Sequence, residues 1–167
     1  YLKIFLLHRT HSVAGKQDLK NLEKEIGKPL LLAQKKAKSF RCKARVTNAL
    51  AAYNNIIGNL DLYVQYSKEL LLLYEASPAF MAENLVTYLS ILYNYGTGCI
   101  SLKRYEEAIH SAERMRTFKP SQPDEERKIF ISSTSLELVA NGVSGNHKGA
   151  VRVFNENRLT LYRYFKE

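Results

Sequence analysis

The sequence predicts an all-α fold built from antiparallel helix pairs, and three observations carry the prediction. Four turn-like breaks, centred on Gly15, Gly58, Lys103 and Gly145, follow one another at 43, 45 and 42 residues. A second set of breaks falls between them and carries prolines at Pro29, Pro78 and Pro123. Between breaks, apolar residues recur every three or four positions, and no window sustains the two-residue alternation of a strand. A fixed period of about 20–50 residues is what stacked supersecondary units leave in a sequence.

The breaks divide the chain into four units, 1–29, 30–77, 78–122 and 123–167, within one helical repeat domain spanning 1–167. Each unit should hold a long helix, a tight turn, a second helix of about 15 residues and a proline-marked turn. The opening run Tyr1-Leu-Lys-Ile-Phe-Leu-Leu-His-Arg reads as the middle of a helix, which predicts a piece of a longer protein. The second unit's first helix should cover Ala33 to Asn54, with Ala33, Ala37, Phe40, Ala44, Thr47 and Ala51 as a narrow stripe. Small groups there admit a close neighbour. In the third unit Leu85, Tyr88, Leu89, Leu92, Tyr95 and Cys99 form a larger stripe. In the fourth, Pro123 suits the first turn of a helix, and Asp124, Glu125 and Glu126 suit its positive end. Gly58 and Gly145 suit the left-handed residue that commonly ends a helix.

Charge is unevenly distributed. The formal net charge is +9, yet Leu30 to Ile57 carries six bases and no acid, so two-thirds of the excess lies in one segment. Lys38, Arg41 and Arg45 fall within about 60° of one another on a helical projection and predict a basic ridge opposite the Ala/Phe40 stripe. No apolar run approaches the roughly 20 residues of a membrane span. The cysteines, Cys42 and Cys99, are expected to be buried free thiols. Such low cysteine use fits a reducing compartment, so a cytoplasmic setting is the default expectation.

From Leu92 to Pro120 the chain resembles a tetratricopeptide repeat. The residues are Leu92, Tyr95, Gly96 and Cys99 on one helix, then Tyr105-Glu-Glu-Ala108-Ile109, Ala112, Met115 and Pro120. In the last unit Ala150 and Phe154 keep the phase; in the second, Ala51 and Gly58 keep it, with Tyr63 where a small residue is expected. The resemblance implies a right-handed superhelix of helix pairs, a tetratricopeptide-like α-solenoid with longer helices. It also implies that Gly96 and Ala108 are the small residues where the two helices of a pair touch. The period of 42–45 residues exceeds the family's roughly 34 and lies in the range of HEAT and armadillo repeats.

The family binds partners on a concave face lined by first helices. By resemblance the inward positions are Arg45, Asn48, Ala52 and Asn55, then Ser90, Tyr93 and Thr97, then Ser132, Ser135 and Val139. Arg45, Asn48, Asn55, Tyr93 and Thr97 are the candidate binding residues: amides and hydroxyls for a peptide backbone, a guanidinium for a carboxylate. The Lys and Asn set with which chaperone-binding members grip a C-terminal carboxylate is not present. The plainer account of all these positions is a solvated helix face.

Catalytic patterns are weak. His8 and His11 stand three apart, but no carboxylate or cysteine pair completes a metal site, and no phosphate loop or nucleophile elbow occurs. The expected function is therefore a scaffold for a protein or peptide, without cofactor or metal. A nucleic-acid module acting through Lys38, Arg41 and Arg45 is the alternative, and an oligomerisation spacer a third.

Overall fold

The computed structural model describes residues 21–166, and every regular element among them is helical. The break at Gly15 and the pair His8 and His11 lie outside these residues. The chain divides into two compact units at Ser77/Pro78, where the third sequence unit begins.

In the first unit a π-helical turn at Glu23–Gly27 leads into α1 (Lys28–Lys36), followed by α2 (Phe40–Ile56) and α3 (Leu60–Glu75). The sequence places a break at Gly27-Lys28-Pro29, but the helix runs through it with right-handed dihedrals at Lys28. The wider π turn, closed by Lys28 N–H donating to the Glu23 carbonyl, explains this. Proline lacks an N–H and crowds the carbonyl four residues back, and widening the turn just upstream relieves that crowding. The true break comes at Ala37–Ser39, inside the segment read as one helix. There Ala37 is extended, and the Ser39 hydroxyl caps α2 by accepting from Cys42 N–H at 3.3 Å. A serine before an apolar-periodic run is the usual N-cap signal. α2 packs antiparallel on α3, and Phe40 meets Tyr74 edge to face at 6.2 Å. Gly27 allows the π turn to approach α2, because a Cβ there would lie 2.6 Å from the Tyr53 hydroxyl.

The second unit holds α4 (Pro78–Glu83), α5 (Leu85–Ser101), α6 (Tyr105–Arg116), α7 (Pro123–Val143) and α8 (His147–Lys166). α5 pairs with α6 and α7 with α8; α7 also packs on both helices of the preceding pair. All six residues of the predicted α5 stripe are buried, Tyr88, Leu89 and Cys99 completely. Ala108 is buried too, and Gly96 lies against a third helix. A Cβ at Gly96 would strike Leu136 of α7, so the small residue admits the next pair's first helix.

Three turns laid on one another in the sequence share one geometry. Gly58, Lys103 and Gly145 all have positive φ, at 76°, 60° and 82°. Four residues before each lies a buried side chain, Asn54, Cys99 and Asn141. Asn54 and Asn141 donate back along their own helices, to the Leu50 and Glu137 carbonyls. One residue after each glycine, Asn59 and Asn146 accept from the third helical N–H beyond them. At the middle turn Lys103 takes the left-handed conformation at the cost of its Cβ, and Arg104 supplies no side-chain cap. Lys103→Gly, which gives this turn the left-handed glycine of the other two, is expected to raise stability by about 1 kcal/mol in denaturant titration.

Candidate interaction surfaces

α2 spans Phe40–Ile56 as one regular helix and therefore decides which candidate residues share a face. At about 100° per residue, Arg41, Arg45, Asn48, Ala52 and Asn55 fall within one quadrant. Arg45 is exposed and both asparagines are half-buried. The candidate binding positions of α2 and two of the ridge bases thus occupy a single face of that helix. Lys38 does not join them by helical spacing, because it sits in the break before Ser39. It remains exposed, as do Lys35, Lys36, Arg41, Lys43 and Arg45. Cys42, expected to be buried, is exposed on this stretch; Cys99 is buried, and both are free thiols.

In the second unit the candidate positions Ser90, Tyr93 and Thr97 lie on α5. Ser90, Tyr93 and Thr97 are half-buried, with Val86, Asn94 and Ser101 beside them exposed. The Ser90, Thr97 and Ser101 hydroxyls donate to the carbonyls of Val86, Asn94 and Thr97 on their own helix. Each hydroxyl oxygen keeps acceptor capacity beyond that donated bond. On α7, Ser132 is buried and unavailable, Ser135 is half-buried and Val139 is exposed.

Several polar contacts escape sequence reading. Glu107, taken as part of the repeat signature, accepts the hydroxyl proton of buried Tyr95 at 2.6 Å and ties α6 to α5. Burial, with that hydrogen bond second, pushes the Tyr95 phenol far above its ordinary range. Arg116 of α6 pairs with Glu137 of α7 at 2.6 Å. At the α7–α8 turn Asn146 donates to the Asn141 carboxamide oxygen at 2.6 Å and accepts from Gly149 N–H. Gly149 has no room for a side chain there, since a Cβ would lie 2.5 Å from Asn141 Oδ1. At the far end of the same pair, Phe130 packs on Tyr164 at 5.5 Å and Arg127 donates to the Tyr164 carbonyl. The signal for these pairs is only that Asn and Gly recur beside the turns.

Among the described residues no helix is long and apolar enough to cross a membrane. No family model, curated protein or solved structure matches this chain.

Proposed function

We propose that the chain is an interaction scaffold of tetratricopeptide-like helix pairs that binds an extended segment of another protein along its first helices. The observation that carries this reading is the composition of α5. Its 17 residues include no Asp, Glu, Lys or Arg, although a quarter of the chain is charged. A helix face in water ordinarily carries charge, whereas the centres of protein interfaces are depleted in charge and enriched in tyrosine. The partner helix α6 has five charged residues in its 12, so the asymmetry belongs to the first helix of the pair. Acceptor oxygens at Ser90, Thr97 and Ser101 suit the N–H groups of an extended peptide, and Tyr93 supplies apolar contact. By the tetratricopeptide resemblance, Arg45, Asn48 and Asn55 hold the corresponding phase on α2 within its own unit.

Affinity capture from a lysate of the source cell is expected to retain a discrete protein through nuclease treatment and moderate salt. The double variant Tyr93→Glu/Thr97→Lys, with unchanged helical circular dichroism, should lose it. Retention by that variant would overturn the assignment of the face.

A second reading rests on the six exposed bases between Lys35 and Arg45, which suit phosphate groups. It requires capture that disappears with nuclease or modest salt, and loss of binding when Lys38, Arg41 and Arg45 are neutralised.

A further inference from the structure

We infer that the outer face of α8 is a docking surface for an amphipathic helix bearing acidic residues, a site separate from the uncharged face of α5. The turns at Lys103 and Gly145 share their geometry and stand 42 residues apart, so each position on α6 has a counterpart on α8. On α6, Arg116 reaches across to α7 and pairs with Glu137, and Ala112, one turn earlier, is completely buried. The counterparts on α8 are Arg158 and Phe154, and Val151 stands for Ile109. Steps of three and four place Val151, Phe154 and Arg158 on one face.

That face is open. Val151 is 59% and Phe154 43% exposed, and Arg158 is exposed between them and Tyr162. The opposite face of α8 is the one packed on α7, through Gly149, Val153 and Tyr164. α8 thus presents outward the pairing with which α6 holds a helix: an apolar row with a guanidinium in it. Phe154 replaces the small Ala112, so the guest helix needs a small residue opposite Phe154 and a carboxylate opposite Arg158.

Charge selects among occupants. The exposed charged side chains of α8 through residue 164 are Lys148, Arg152, Arg158 and Arg163 against Glu156. A second copy of the same face would set cation against cation. An uncharged helix would cover Arg158 and leave it without a counter-ion, which is costly. A lipid surface is disfavoured because membrane-surface helices keep their cations on the polar face, whereas Arg158 lies within the apolar row. A guest helix with carboxylates meets each requirement, as Glu137 does for Arg116.

The test is a displayed library of amphipathic helical peptides with a fixed apolar stripe and flanking positions randomised among acidic, basic and neutral residues, sorted against the whole chain. The recovered helices should be enriched in Asp and Glu. They should bind at least tenfold more weakly to Arg158→Glu and to Phe154→Asp, both exposed positions whose variants keep the circular dichroism of the parent. Arg158→Glu should in turn prefer peptides whose acids are replaced by lysine. Recovery of no helix, no acidic enrichment, or indifference to both substitutions would overturn the inference. So would binding to anionic phospholipid vesicles that depends equally on Arg158, or self-association of the chain that Phe154→Asp abolishes.

Discussion

Tyr88→Ala is expected to destabilise the protein by about 3–5 kcal/mol, the range for deleting a large buried aromatic. Tyr88 is completely buried near the start of α5. Its ring meets Phe118 edge to face at 5.4 Å, and the Arg114 guanidinium lies 5.8 Å from the ring centre. Phe118 belongs to the connection after α6, so this aromatic contact fastens that connection to α5. Truncation leaves a cavity and releases the connection together. Thermal and denaturant melts should record the loss, and amide exchange should quicken at residues 117–122. Tyr88→Phe keeps the ring and gives up only the hydroxyl's interaction, so it should cost less, about 1 kcal/mol. Equal losses for the two variants would show that the hydroxyl, and not the packing, carries the effect.

Gly96→Val is expected to cost about 3 kcal/mol or more, at the upper end of the range for overpacking a filled core. A Cβ at Gly96 collides with Leu136, whose Cδ1 and Cγ would lie at 3.0 and 3.2 Å. A flexible side chain can turn away from such a contact when space is free. Leu136 is 1% exposed, so it has no such space. The clash therefore has to separate α5 from α7. The discriminating measurement is a double-mutant cycle with Leu136→Ala. That substitution alone should cost about 2–5 kcal/mol, and with Gly96→Val the two losses should fall short of their sum. Strict additivity would mean that the residues do not share this contact. Gly96→Val should also spare the α5–α6 pairing through Tyr95 and Glu107, which lies elsewhere on the helix.

Both experiments bear on where sequence reasoning succeeded and where it stopped. The α5 stripe was legible because helical periodicity alone sorts Leu85, Tyr88, Leu89, Leu92, Tyr95 and Cys99 onto one side. The turns at Gly58 and Gly145 were legible because a left-handed residue after a helix favours glycine, whatever the rest of the chain does. Lys103 was found only through spacing, since its residue type points the other way. Alanines at 33 and 37 keep the helical periodicity across the break before α2, so the sequence there reads as one longer helix. The Ser39 cap was the competing signal, and it prevailed. That longer helix would place Lys38 on a ridge with Arg41 and Arg45.

The candidate site was legible to a smaller degree. Tyr93 and Thr97 do lie on an accessible face of α5, whereas Ser132, chosen by the same phase, is buried. Phase along one helix states which residues point the same way, not which neighbour they meet. The α8 face had no clear sequence signature, because Val151, Phe154 and Arg158 gain meaning only beside the Arg116–Glu137 pair.

By itself, then, the sequence determined the helical class, the two turns with left-handed glycines, and the buried stripe of α5. Each depends on dihedral preferences, capping and periodicity within a few residues. Only the tertiary structure decided that Gly96 receives Leu136, that Glu107 satisfies Tyr95 and that Arg116 finds Glu137. Those outcomes join residues 12 to 40 positions apart. They depend on which helix faces come into contact, and that is settled by packing all the helices at once.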